Sequence, residues 1–216
     1  MLVACWSVKG GVGTTVVAAS LALLMAARSP TGAVLADLAG DAPAVLGLPE
    51  PDSPGLSGWL TAGTDVPADA LRRLEVAVTP ELALLPRGEG DLDPARAGLL
   101  AGLLDLSPRP TVVDCGRMGE SPAAATIIGQ ARRSILVTRA CYLAMRRAMR
   151  APLRPTGVVV VREPGRVLST TDIEQVVGAP VTAVVEVDPA VARAVDAGLL
   201  AGRLPRSLAK ALADAT

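Results

Sequence analysis

The chain has 216 residues and zero formal net charge, and 50% of its side chains are hydrophobic but only 1% aromatic; this length supports a single domain, 1–216, whose core needs no disulfide or metal, built from Val, Leu, Ala and Ile with Trp6, Trp59 and Tyr142 as its only large rings. Histidine is absent, which excludes a Cys/His zinc site and any scheme with an imidazole base; Cys5, Cys115 and Cys141, odd in number and in or beside apolar stretches, read as reduced and buried. No apolar run reaches the ~18 residues of a membrane span and no basic region with a signal-peptide core opens the chain, so a cytoplasmic protein is expected.

Residues 2–8 read as a strand and 15–27, rich in Ala, Val and Leu, as a helix. Between them lies Ser7-Val8-Lys9-Gly10-Gly11-Val12-Gly13-Thr14-Thr15. Its glycines let the backbone curl with N–H groups pointing inward, and the N-terminus of the following helix adds partial positive charge, so this is a phosphate-binding loop. Thr15 stands where the loop's hydroxyl would touch Mg²⁺. The common P-loop places a lysine just before that hydroxyl, reaching the β- and γ-phosphates; here the place is held by Thr14. The candidate phosphate site is therefore Lys9, Gly10, Gly11, Val12, Gly13, Thr14 and Thr15.

Further strand-like runs follow at 32–37, 82–85, 111–115, 134–138, 156–161 and 180–185. Helical stretches lie at 94–104, 122–131, 142–150, 169–177 and 189–199. Continuously apolar strands alternating with helices predict a mainly parallel central sheet covered on both faces, a three-layer α/β/α fold. The Pro/Gly-rich 40–58 and turn-rich 86–94 read as surface loops. The C-terminal 205–216 is faintly amphipathic, with Leu208 and Leu212 beside Arg206 and Lys210, and a helix packed on the domain is favoured over a membrane-surface anchor.

Ligands in such sheets collect at the carboxyl ends of the strands. Thr111-Val112-Val113-Asp114 ends in an acid as a Walker B strand does when it holds Mg²⁺ through water, and Arg117-Met118-Gly119 follows it. Asp37 ends the second strand, while Asp41, before Ala42-Pro43, reads as a turn acid. Charge is uneven: residues 121–162 contain no acid but eight arginines, at 132, 133, 139, 146, 147, 150, 154 and 162. Arg146, Arg147 and Arg150 fall within about one helical turn. The run is read first as a solvated face balanced by acidic neighbours, then as a site for an acidic partner, and least as a surface for DNA phosphates.

The loop resembles the deviant Walker A box, K-G-G-x-G-K-S/T, of the ParA/MinD superfamily of dimerising ATPases, and lack of its second lysine is most similar to the TadZ/CpaE branch, whose members place pilus and secretion machinery. The resemblance extends over nearly the whole chain. It implies a P-loop NTPase fold, a homodimer, and Lys9 as the signature lysine reaching the partner's nucleotide. Residues 34–41 then resemble the D-x-D switch I segment, Asp37 matching the first acid and Ala39 replacing the second, which positions the attacking water; Asp41, read first as a turn acid, substitutes for it only if the loop is remodelled at Gly40. Leu46-Gly47-Leu48 matches the L-G-L that follows. Val161-Arg162 replaces an Asn-Arg pair whose Asn recognises adenine, while Asp188 and Pro189 resemble the loop against the base and 194–204 the segment behind it, with Gly198 and Pro205 farther apart than in the family. The helix opening at Tyr142 corresponds to dimer and partner surfaces.

ATP and Mg²⁺ are thus the implied cofactors, held weakly or not at all. Thr15, Asp37 and Asp114 are the implied Mg²⁺ ligands, and Lys9 and Asp37 the implied catalytic residues if the site is active. Losses at 14, 39 and 161 imply a pseudo-ATPase scaffold located through a pilus, secretion or cell-division partner, at a pole or the inner membrane face, with at most peripheral membrane contact. The alternative is a slow ATPase switch in chromosome partition or septum-site placement.

Overall fold

The computed structural model describes residues 1–63, 67 and 69–215. Its strands are β1 (Leu2–Ser7), β2 (Ala33–Asp37), β3 (Val76–Ala77), β4 (Leu82–Leu85), β5 (Thr111–Arg117), β6 (Arg133–Arg139), β7 (Gly157–Arg162) and β8 (Val181–Glu186). They form one sheet in the order β3-β4-β2-β5-β1-β6-β7-β8. Every pairing is parallel except β3 with β4. The helices are α1 (Thr14–Arg28), α2 (Ala42–Leu46), α3 (Gly55–Thr61), α4 (Ala70–Arg73), α5 (Ala97–Leu106), α6 (Pro122–Gln130), α7 (Tyr142–Ala148), α8 (Thr170–Val177), α9 (Pro189–Asp196) and α10 (Arg206–Leu212).

Side chains alternate across a strand, so a strand apolar at every position feeds two cores. Leu2, Ala4 and Trp6 pack on one face, against buried residues of α3, α5, α6, α7 and α8. Val3 and Cys5 pack on the other, against α1, α2 and α10. The result is the expected three-layer α/β/α fold. Trp6 is fully buried, and its indole N–H donates to Ser134 Oγ at 2.9 Å, so the large ring carries no unsatisfied donor.

Three expectations change. The 40–58 stretch is not loop throughout but carries α2 and α3, with Leu56, Trp59 and Leu60 buried; Pro43, Gly47, Pro54 and Gly55 mark the ends of these short helices, where such residues belong. Tyr142 is no core ring: it opens α7 at 76% exposure. Cys141, just before it, is only partly buried, whereas Cys5 and Cys115 are buried, and all three are free. The 205–216 stretch, whose last residue lies outside the described residues, forms α10; Leu208 and Leu212 are buried in the core beside α1 and β8. Among the described residues no helix is long and apolar enough to cross a membrane.

Candidate functional site

β1 ends at Ser7 and α1 begins at Thr14, and the chain between them crosses the carboxyl edge of the sheet. Gly11 and Gly13 adopt φ of 69° and 90°, a region open to glycine at little cost. A Cβ added at Gly10, Gly11 or Gly13 meets nothing within 4 Å, so the curl encloses free space. Val12, 1% exposed, anchors the loop in the core beneath. Gly10, Gly11, Gly13, Thr14 and Thr15 line a cleft of about 960 Å³.

Lys9 and Val12 are not part of that lining. Lys9 is half-buried and forms no hydrogen bond or ion pair among the described residues; its charge instead helps lower the Glu163 carboxyl, after the larger effects of Arg166 and Arg139. The loop therefore sends no cation into its own cleft.

Asp37 and Asp114 stand opposite each other on neighbouring strands, both fully buried, but their carboxylates are used differently. Asp37 Oδ1 accepts the N–H groups of Ala39 and Gly40 at 2.9 and 2.7 Å, and Oδ2 that of Ala42 at 3.0 Å. Three of about four acceptor positions are taken up in folding the segment that leads into α2. Burial raises its pKa against these bonds. One acceptor position remains on Oδ2, and Asp37 is not part of the cleft lining.

Asp114 Oδ1 accepts the Gly116 N–H at 3.0 Å, while Oδ2 has no partner. Burial pushes this carboxyl up to about 7; the nearby Thr15 hydroxyl opposes the rise and the Asp37 charge adds to it. An orphaned buried carboxylate oxygen beside the loop hydroxyl is the acceptor a hydrated divalent cation satisfies. Thr15 and Asp114 fit Mg²⁺. Because no group of three or more metal-binding acids and thiols gathers among the described residues, an ion here draws its other ligands from phosphate and water.

Ala39, two residues past β2, lies against the end of β5. A Cβ on Gly116 would come within 3.3 Å of the Ala39 methyl. Asp41 lines the cleft and is exposed; it precedes α2 without a side-chain capping bond, so its carboxylate is not tied down as a turn acid would be.

At the far end, Asp188 and Pro189 are not brought to the cleft. Asp188 caps α9, accepting the Ala190 N–H at 2.8 Å and the Ser207 hydroxyl at 2.7 Å; Val195 and Asp196 of the same helix line the cleft instead. Arg162, beside Val161, pairs with Glu186 at 2.9 Å. The L-G-L glycine, Gly47, is required by a close approach, because at its φ of 75° a Cβ would fall 2.1 Å from Gly198 O. Arg87 was not signalled by its turn-rich surroundings. Its Nη1 donates to Leu38 O and its Nη2 to Gly90 O, both at 3.0 Å, strapping the segment after β2 from the neighbouring loop. Glu120, another lining residue, pairs with Arg117.

The arginine run divides. Arg132, Arg139 and Arg162 pair with Asp105, Glu163 and Glu186, as a balanced face would. Arg146, Arg147 and Arg150 have no ion pair among the described residues. Arg147 and Arg150, with Arg117, Val8, Met118 and Pro152, line a second groove of about 500 Å³ beside the loop, and Tyr142, Leu143 and Met149 are exposed nearby in sequence.

No protein-family model matches the chain, and no curated protein matches it in sequence. Solved structures do match it in shape. A ParA family ATPase from Chlorobium tepidum TLS superposes with a TM-score of 0.80 at 17% identity, covering 99% of this chain and 96% of that one. The septum site-determining protein MinD from Pyrococcus horikoshii OT3, complexed with Mg-ADP, gives 0.75 at 21% identity, with 98% and 93% covered. An ATP complex of a McdA variant from Cyanothece gives 0.72 at 18%, with 99% and 95% covered. This chain has the P-loop α/β/α fold of the ParA and MinD ATPases.

Proposed function

We propose that this chain is a dimerising positioning factor of the ParA/MinD kind, most similar to the TadZ/CpaE-like proteins of pilus and secretion machinery, with a degenerate site that holds Mg-ATP weakly or not at all and hydrolyses little or none. The observation that carries this reading is a cleft shaped for phosphate whose own loop supplies no cation. Thr14 replaces the lysine, Lys9 lies outside the lining, and Ala39 replaces the switch I acid. A charge-assisted phosphate contact is worth about 1.5–3 kcal/mol, so its loss weakens binding by about one to two orders of magnitude. Catalysis loses more, because the same charge is needed in the transition state.

A loop lysine outside the lining of its own cleft suits a second copy's nucleotide, which supports a homodimer. Arg147 and Arg150, which have no acid beside them among the described residues, suit an acidic segment of a protein partner, which would set the location, at a pole or the inner membrane face. DNA is disfavoured, since acids already neutralise Arg132, Arg139 and Arg162.

A slow ATPase switch in chromosome partition or septum-site placement is the second reading. Asp41 favours it, as an untethered carboxylate in the cleft two residues from the missing acid. Titrating Mg-ATP while following self-association by analytical ultracentrifugation separates the two. Dimers independent of nucleotide fit the scaffold; dimers made by ATP and dissolved by turnover fit the switch. Thr14→Lys combined with Ala39→Asp is expected to raise turnover. Wild-type hydrolysis at the rate of an ordinary dimerising ATPase would sink the first reading.

A further inference from the structure

The geometry points to Arg117 as the residue that gives the terminal phosphates of a bound nucleoside triphosphate the positive charge Thr14 does not, with Glu120 holding its guanidinium until phosphate arrives. The inference rests on the cleft being a nucleotide site, as proposed above.

Arg117 is the last residue of β5 and pairs in register with Ser7, from which the phosphate loop departs. Its position relative to the loop is fixed on both sides. Met118 N–H donates to Ser7 O at 2.7 Å, and Ser7 Oγ donates to Gly116 O at 3.4 Å. Arg117 and Glu120 line the same cleft as Thr14 and Thr15. The other arginine in that lining, Arg87, is engaged by Leu38 O and Gly90 O. Arg117 is therefore the cation of this cleft whose partner can be exchanged.

That partner is weak. Arg117 Nε and Nη2 both meet Glu120 Oε1 at 2.8 Å, three residues along the chain, with the two side chains 45% and 56% exposed. Exposed pairs of this kind contribute little. A guanidinium bound to phosphate makes stronger, bidentate charge-assisted bonds, so a triphosphate outcompetes the carboxylate. Glu120 then carries a free negative charge beside the phosphates and must turn to solvent. It thus opposes binding both by holding Arg117 and by repelling the ligand. The consequence is a sign that a purely structural ion pair does not give: removing the acid tightens nucleotide, while removing the base loosens it.

The test is isothermal titration of the full chain with Mg-bound β,γ-imido-ATP and with Mg-ADP, for wild type, Arg117→Ala, Arg117→Lys and Glu120→Gln, with thermal unfolding of each as a check on folding. Arg117→Ala is expected to weaken the triphosphate analogue about 10–100-fold and ADP less than about threefold. Arg117→Lys should recover part of that loss, and Glu120→Gln should tighten the analogue several-fold. Equal losses for both nucleotides, no loss in Arg117→Ala, or weaker binding in Glu120→Gln would overturn the assignment while leaving the nucleotide site standing. Failure of wild type and Glu120→Gln to bind either nucleotide at millimolar concentration would overturn both.

Discussion

Replacing Asp114 by asparagine should change how stability depends on pH. In the folded chain burial pushes this carboxyl up to about 7, whereas in the unfolded chain it ionises near its ordinary value of about 4. Between those values the folded state holds a proton that the unfolded state has released. Unfolding then releases a proton, and raising the pH favours it. The contribution is intact below about pH 4, falls through the window and is fully lost above about pH 8. A displacement from about 4 to about 7 corresponds to about 4 kcal/mol, of which about 2–3 kcal/mol is lost between pH 5 and pH 8. For a chain of this size that equals about 5–10 °C in Tm. Asparagine keeps the Oδ1 acceptor for the Gly116 N–H and cannot ionise. Thermal unfolding of both proteins at pH 5 and pH 8 cancels every other titrating group to first order. The expected result is that wild type loses about 5–10 °C more than Asp114→Asn across that interval, in the absence of Mg²⁺ and nucleotide. Parallel pH profiles, or a wild type that gains stability relative to the variant as pH rises, would refute the account of Asp114 as a buried, unpaired acid.

Gly47→Ala combines a positive φ with a Cβ 2.1 Å from Gly198 O; it should cost at least about 2 kcal/mol in urea unfolding, and a loss under about 0.5 kcal/mol would show that the α2 and α9 ends yield easily. Arg147→Glu with Arg150→Glu should leave Tm within about 2 °C, because neither side chain has an ion pair to lose and surface changes of this kind stay within about 0.5 kcal/mol. The same double variant should lose the proteins captured by wild type from its native cell. Unchanged capture would move the partner site elsewhere.

The strands and the phosphate loop were legible because their signals are local. Runs such as Leu2 to Trp6 or Val158 to Val161 are apolar at every position, and the glycine spacing between a strand and a helix has few other uses. The short helices α2 and α3 were not legible because Pro43 and Gly47 bound the first and Pro54 and Gly55 open the second, and such residues locally look like loop. Long-range contacts were illegible for a different reason. Nothing beside Arg87 signals that its guanidinium crosses to Leu38, and nothing beside Asp188 signals that its carboxylate is taken by Ala190 and Ser207. The resemblance supplied roles for Asp37 and Asp188 by position in a motif; what each carboxylate does depends on which N–H and O–H groups the fold brings to it.

That distinction decides which features of the cleft argue for an occupant. Its shape does not, because the parts that make it are needed by the fold. Val12 anchors the loop in the core, Asp37 folds the start of α2 through three backbone N–H groups, and Gly47 meets Gly198 so that α2 and α9 pack. A chain that had abandoned nucleotide would keep all of these. Asp114 is different. Its Oδ2 is buried without a partner, its ionised form destabilises the fold near neutral pH, and asparagine or serine would hold the Gly116 N–H at lower cost. A buried acid with an unpartnered oxygen, whose ionisation lowers stability, is explained by a ligand that pairs with it, and the pH profile of Asp114→Asn, repeated with Mg²⁺ and nucleotide present, measures that pairing. If the ligand binds, wild type gains stability on its addition and the variant gains less; if both gain equally or neither gains, the carboxylate has no such role.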